Sequence, residues 1–188
     1  GPNQVLNGSQ FYNNGSDGYK GAPGVILGTT KKATDKDINR YTQTFTGRGE
    51  NIENLDIGRR FGKDKEWGVR VNARYDKGKM AVQGAKMDDK SIYVNIDHKG
   101  EKSTTNLFGG YYDWKLNGGQ RWLKADGIAK GKLASAVNGK TNLSFDDQFK
   151  ANHGYLFTLN HEQKFSDKWA AFLNFGYQKY DEDKFDPD

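Results

Sequence analysis

From about Arg40 onward, apolar residues recur at every second position, which is the pattern of half-buried β-strands rather than of helices. The clearest segment runs from Trp67 to Tyr75, where large apolar residues alternate with polar ones such as Arg70 and Asn72. Each segment of this kind has one apolar face and one polar face. The period predicts about seven strands, with residues 25–30 as a further one, near 41–46, 55–61, 67–75, 92–96, 104–113, 154–165 and 169–177.

Connections of two kinds alternate between these strands. Short, charged turns lie at 62–66, 98–102 and 166–168, and long Gly-rich connections lie at 76–90 and 115–152. An up-and-down order of strands then places the tight turns at one end of the sheet and the long loops at the other. The sequence therefore predicts an all-β, antiparallel meander of about seven or eight strands that is part of a β-barrel or closes into one.

Aromatic residues lie beside the tight turns, where a membrane barrel carries its interfacial girdle. Phe61 and Trp67 flank the first turn, and Phe165 and Trp169 flank the third. A soluble barrel or sandwich is an equally good interpretation of the alternation, because period two does not tell whether lipid or protein covers the apolar face. Both interpretations remain open at this point.

The composition removes several classes of function. The 188 residues suffice for one average domain. The 29 basic and 24 acidic residues are interspersed along the chain, so the net charge of +5 gives no support for nucleic-acid binding. No run of about 18 apolar residues predicts a membrane-spanning helix. The absence of cysteine excludes disulfides, thiolate metal sites and cysteine nucleophiles. No hydrolytic triad or calcium-loop spacing is found, so we expect no enzyme and no cofactor.

Residues 1–37 differ from the strands that follow. A polar run over 13–18, a Gly-rich segment over 21–28 and a basic step at Lys31 and Lys32 indicate the end of a separate element and its linker. The predicted boundary lies between this segment, 1–37, and the barrel strands, 38–188.

The chain carries Pro-Gly-Val-Ile at 23–26, Ile-Gly-Arg-Arg-Phe-Gly at 57–62 and Ser-Asp-Lys-Trp at 166–169. These three motifs, each with the residues that follow it, resemble the TonB-dependent ferric-siderophore receptors of Gram-negative outer membranes. The first is Pro-Gly-Val-Ile at 23–26 followed by Thr-Lys-Lys-Ala-Thr at 30–34, which is similar to the end of the plug domain in that family. The second pairs Ile-Gly-Arg-Arg-Phe-Gly at 57–62 with Trp-Gly-Val-Arg-Val-Asn at 67–72. The third is Ser-Asp-Lys-Trp at 166–169 with the strand after it. The resemblance covers about residues 21–183.

This resemblance implies an outer-membrane location, a lipid bilayer around the barrel, TonB as partner and a ferric siderophore as transported ligand. The family barrel has about 22 strands, so the chain corresponds to the end of the plug and the first third of the barrel. Loops facing outward would capture the ligand, and import would draw its energy from TonB.

The long connection that begins at Trp114 is the predicted recognition element, because a rigid sheet positions such loops. Trp114, Arg121, Trp122 and Lys124 would suit an anionic or aromatic iron chelate, since indole rings stack on it and cations offset its charge. The aromatic residues at 11 and 12, Phe11 and Tyr12, resemble the plug apex by which some receptors touch siderophore.

A small, closed, soluble β-barrel that binds haem or another apolar ligand is the alternative. Its candidate axial ligands are His153 and His161, which share side-chain parity on one predicted strand. About eight strands would close around an interior large enough for one small ligand.

Overall fold

The structure is a computed structural model that describes residues 30–119, 138–142 and 147–185. Internal contacts divide the chain into Gly1–Thr30 and Lys31–Asp188. The strands lie in the second unit. The predicted division at residue 37 into a plug-like segment and barrel strands stays a prediction.

The residues that the structure describes form a sheet of seven β-strands, and the all-β prediction is confirmed. Their lengths rise from 8 residues in the first strand to 18 in the sixth. Within the described ranges, no helix is long and apolar enough to cross a membrane. The strands are β1 (Ile38–Phe45), β2 (Asn51–Phe61), β3 (Trp67–Lys79), β4 (Lys86–Lys99), β5 (Ser103–Asn117), β6 (Phe149–Ser166) and β7 (Trp169–Phe185).

The strands form one antiparallel meander in the order β1 to β7, as predicted. Each strand pairs with its neighbours in the chain, and among the described residues β1 and β7 have one strand partner each, so the described sheet is open. The further strand predicted at 25–30 lies outside the described residues except for Thr30. The closed small barrel of the alternative interpretation is therefore not what these seven strands form.

The connections alternate as the sequence predicts, but the strands extend further into the predicted long loops. The sequence predicts a loop over residues 76–90. In the structure, β3 continues to Lys79 and β4 begins at Lys86, so the loop comprises residues 80–85. Backbone pairing continues through Gly78 and Met87 up to the pair Lys79 and Lys86. Backbone hydrogen bonds do not require apolar side chains, so the strands outlast the apolar alternation that reveals them in the sequence.

The two faces of the sheet have opposite character from β2 to β6, where the apolar face is the more exposed one, whereas β7 is exposed on both faces. Aromatic and aliphatic side chains remain more than a third exposed along it, for example Trp67, Ile96, Phe157 and Phe175. On the other face, polar and charged side chains are buried: Asp56, Arg60, Arg70, Asp76, Asn95, Asp97 and Asn106. Among the described residues, the buried apolar side chains are Ala33 and Ala85 alone. Within the described residues, the buried side chains of the sheet are therefore mainly polar, whereas large apolar side chains stay exposed.

Candidate functional site

The polar face carries a buried bidentate ion pair between β2 and β3. Arg70 donates from Nε to Oδ1 of Asp56 at 2.5 Å and from Nη2 to Oδ2 at 2.7 Å. Both side chains are about nine-tenths buried. The register explains the contact, because Gly58 lies opposite Arg70 and leaves its side chain free to lean toward the carboxylate. Lys31 adds a weaker contact, with Nζ 3.7 Å from Asp56 Oδ2.

A second buried ion pair crosses three strands. Arg60 on β2 and Asp97 on β4 both lie opposite Gly68 of β3. Nη2 of Arg60 lies 2.8 Å from Oδ2 of Asp97, and each side chain is 1% exposed. A Cβ at Gly68 would come within 2.5 Å of Arg60 Nη1 and of Asp97 Oδ1. The pair therefore requires glycine in the strand between its members.

The same two arginines hold the chain segment that precedes β1. Nη1 of Arg70 donates to the carbonyl oxygen of Lys32 at 2.9 Å, and Nη1 of Arg60 donates to that of Ala33 at 3.3 Å. Ala33 is buried beneath them. Lys65 in the β2–β3 turn donates through Nζ to the carbonyl oxygen of Asp35 at 3.0 Å. We call Arg60 and Arg70 the arginine clamp, because they fix this segment to the polar face through its backbone.

A further charged group lies nearer the long-loop end. Arg74 donates from Nη2 to Asp76 Oδ2 at 2.6 Å and from Nη1 to Asn54 Oδ1 at 3.3 Å, and its Nε lies 3.4 Å from Asp89 Oδ2. One guanidinium thus links three strands, β2, β3 and β4. In this part of the face the carboxylates have a cationic partner, which offsets the cost of their burial.

Aromatic rings lie on the same polar face beside these charges. The ring of Tyr93 stacks on Phe108 with centroids 5.8 Å apart and planes 4° apart. Tyr93 also covers Gly110, where a Cβ would lie 2.1 Å from the ring. Trp114 is half-buried on this face, paired with Asp89 on β4 and Asn152 on β6. The polar face therefore combines aromatic rings with charged side chains.

A recess of about 330 Å³ opens on the polar face between β1 and β4. Lys31, Arg40 and Arg74 supply cations to its lining, Asp56 supplies a carboxylate, and Tyr93 supplies a ring. The excess of positive charge suits an anionic ligand, and the ring offers stacking area.

Of the predicted ligand-binding residues, the structure describes Trp114, which lies on the polar face of the sheet. The others lie outside the described residues and stay predictions: Arg121, Trp122, Lys124, Phe11 and Tyr12.

The two candidate haem ligands lie on β6 and cannot share one iron. Eight residues of extended strand separate His153 from His161 by about 27 Å. Each has a partner of its own: Nε2 of His153 lies 3.6 Å from Oδ2 of Asp181, and Nδ1 of His161 lies 2.8 Å from Oγ1 of Thr105. No group of three or more potential metal ligands occurs in the part of the chain that the structure describes.

The pattern of the sequence did not reveal the arginine clamp and its carboxylates, although Arg60 and Arg70 lie in the two segments of the second motif, 57–62 and 67–72. Their signal was present, because charged residues occupy every second position between apolar ones. The period assigns them to the polar face but does not tell which carboxylate each arginine meets, since that depends on strand register.

The comparisons with known proteins agree with the fold. The ferric preacinetobactin receptor BauA from Acinetobacter baumannii matches with a TM-score of 0.75 and 24% identity, over 82% of this chain and 23% of its own. The receptor FpvA from P. aeruginosa, solved with bound pyoverdine, matches with a TM-score of 0.63 and 12% identity, over 79% and 20%. The described strands thus have the fold of a run of strands in siderophore receptors of this kind.

One relative is similar in sequence. The ferrichrome receptor FcuA of Yersinia enterocolitica is 31% identical over 109 residues, which are 57% of this chain and 14% of that receptor. No protein-family model matches. The chain thus spans about a seventh of the relative and under a quarter of either solved receptor. The resemblance to siderophore receptors stated from the motifs is confirmed, and the relatives are receptors rather than enzymes.

Proposed function

We propose that this chain is part of the β-barrel of a TonB-dependent outer-membrane receptor that imports a ferric siderophore. The observation that carries the proposal is the inversion of the two faces, with apolar side chains outward and buried ion pairs inward. An exposed apolar face of this extent in water would be a large aggregation surface. Against hydrocarbon, the same face is the stable arrangement of a membrane barrel.

The open sheet edges support a larger barrel. In the described part of the chain, no strand pairs with the outer edge of β1 or of β7. In hydrocarbon each unpaired backbone group costs several kcal/mol, so membrane-spanning sheets close on themselves. Further strands would satisfy both edges, in agreement with the greater length of the relatives.

The ligand would meet the polar face and the loops at its long-loop end. Trp114 offers stacking area, and the recess lined by Lys31, Arg40 and Arg74 offers positive charge for an anionic chelate. The proposed loop residues Arg121, Trp122 and Lys124 and the plug residues Phe11 and Tyr12 would complete the contacts. The similar receptors are named for, or were solved with, different iron chelators: ferrichrome, preacinetobactin and pyoverdine. We therefore propose ferric chelates as the substrate class, without choosing one of them. The chain would bind and orient this ligand and would perform no covalent chemistry.

Uptake of ⁵⁵Fe tests the proposal in iron-starved cells that express the whole receptor. We expect uptake of at least one ferric siderophore, with ferrichrome tested first, and loss of that uptake in cells without TonB. Trp114→Ala should weaken ligand binding by about 30-fold if the ring is a main contact. Trp169→Ala, at the exposed tight-turn end, is the matched control. Uptake that persists without TonB, or a receptor found in the aqueous fraction, would contradict the proposal.

A further inference from the structure

The loop between β3 and β4 forms a compact platform at the long-loop end. Lys79 and Lys86 are register partners at the ends of the two strands. Within the loop, the Met80 amide donates to the carbonyl oxygen of Ala85 at 2.9 Å, and the Ala85 amide donates to that of Val82 at 3.1 Å. These bonds close the loop on itself and hold both lysines at its base.

Two neighbouring segments attach to this platform. The amide of Gln83 donates to the carbonyl oxygen of Lys140 at 2.9 Å. From the β1–β2 loop, Nη1 of Arg48 donates to the carbonyl oxygen of Ala81. One backbone hydrogen bond and one side-chain hydrogen bond thus bring residues from three loops to one place.

These segments surround a recess of about 490 Å³ that we call the basic recess. Four of the nine residues that line it are cations, namely Arg48, Lys79, Lys86 and Lys140, and none of the nine carries a carboxylate. The four cations make no ion pair with any acidic side chain in the described ranges. The apolar side chains of the lining are those of Met80, Ala81 and Val82. Four cations without an acidic partner, next to apolar side chains, suit an anionic amphiphile.

The two lysines of the basic recess lie on the opposite face of the sheet from the polar face, where we propose that the ferric chelate binds. Lys79 has the side-chain parity of Tyr75, and its partner Lys86 has that of Ile92, so both lie on the apolar face of the sheet. Lys79 follows Tyr75 by four residues, or about 13 Å along the strand. In a membrane barrel, cations just beyond the apolar band lie at the level of the lipid headgroups.

We propose that the basic recess binds the phosphorylated headgroup of an anionic membrane lipid. A phosphate monoester carries nearly two negative charges at neutral pH, so four cations balance up to two phosphates. The lipid's acyl end would lie against Met80 and Val82 and the apolar band beyond. The inference rests on the proposed membrane position of the barrel and is independent of the transported ligand.

Native mass spectrometry of the whole receptor tests this site. The receptor is placed in nanodiscs of phosphatidylcholine with 10 mol% phosphatidic acid, and bound phosphatidic acid is counted after release into detergent. Lys79→Gln combined with Lys86→Gln should weaken retention about 25-fold, because each cation near an anionic lipid contributes roughly fivefold. Lys99→Gln combined with Lys102→Gln, at the tight-turn end, removes the same charge and should change retention less than about twofold.

Equal effects of the two double variants would overturn the inference, as would full displacement of the lipid by inorganic phosphate at millimolar concentration. The lysines are exposed at strand ends, so both variants should keep the heat-resistant electrophoretic mobility of a folded barrel, which verifies folding. A receptor that takes up ferric siderophore but retains no phosphatidic acid would refute the lipid site alone. A receptor that does not enter membranes would refute the proposed function.

Discussion

Removal of Asp97 should destabilise the barrel wall more than removal of any exposed carboxylate. Its Oδ2 lies 2.8 Å from Nη2 of Arg60, and both side chains are 1% exposed. Asp97→Ala leaves the guanidinium in the wall without its counter-charge. Removing one partner of a buried ion pair costs about 3–5 kcal/mol.

The remaining contacts of Arg60 place the expected loss at the lower end of that range. Its Nε donates to the carbonyl oxygen of Lys65 at 2.7 Å, and its Nη2 donates to that of Glu66 at 3.1 Å. These acceptors stay in place in the variant and stabilise the cation in part. We therefore expect the free energy of unfolding to fall by about 3 kcal/mol.

Guanidinium unfolding of the whole receptor in detergent, followed by tryptophan fluorescence, measures this loss as a shift of the midpoint. Hydrogen exchange should show the loss of protection concentrated in β2, β3 and β4. Asp37→Ala is the matched control, since Asp37 lies 3.5 Å from Arg59 but is 63% exposed. This control should change stability by at most about 1 kcal/mol.

A third variant separates the charge from the packing. Replacing the pair by apolar residues, Arg60→Met with Asp97→Leu, removes both charges and should recover most of the stability lost in Asp97→Ala. If Asp97→Ala were no more destabilising than Asp37→Ala, the polar face would not be the buried one, and the argument from inverted faces would be refuted.

Three further outcomes follow from single positions. Gly68→Ala should destabilise the wall by about 2 kcal/mol or more in the same unfolding assay, because its Cβ would meet Arg60 and Asp97; an unchanged midpoint would contradict this. Val94→Arg, in the middle of the apolar face, should cost about 2–4 kcal/mol in the membrane, whereas Ser91→Arg on the polar face should cost less; equal losses would exclude lipid contact. The amides of Glu66 and Asp64 hold the pKa of the Glu66 carboxyl below its ordinary value of 4.5.

The lowered pKa of Glu66 determines how the stability of the β2–β3 turn changes with pH. Because the pKa is lowered in the folded turn, this contribution to stability is present above the ordinary value of 4.5 and is lost as the pH falls below it. The exchange protection of the Asp64 amide should therefore fall on acidification, and Glu66→Gln should remove that titration. A protection factor that does not change with pH in the unsubstituted protein would contradict the assignment.

The strand content and meander order could be read from the amino-acid pattern, because both follow from local period and connection length. Trp67 to Tyr75 shows this clearly, since its alternation alone marks a strand with two unlike faces. The strand ends could not be read in the same way. Lys79 and Lys86 remain paired where the apolar alternation has already stopped, since backbone hydrogen bonding continues without it.

The alternation of apolar and polar residues already assigns two unlike faces to each strand, and the motifs indicate which family of receptors the chain resembles. Which face is buried, and which side chains meet there, depends on how the strands pack in the sheet. Arg60 and Asp97 lie on strands that are not adjacent. They meet because Gly68, on the strand between them, has no side chain that would separate them. A residue's face follows from its own strand, whereas its partner depends on the register of every strand between the two.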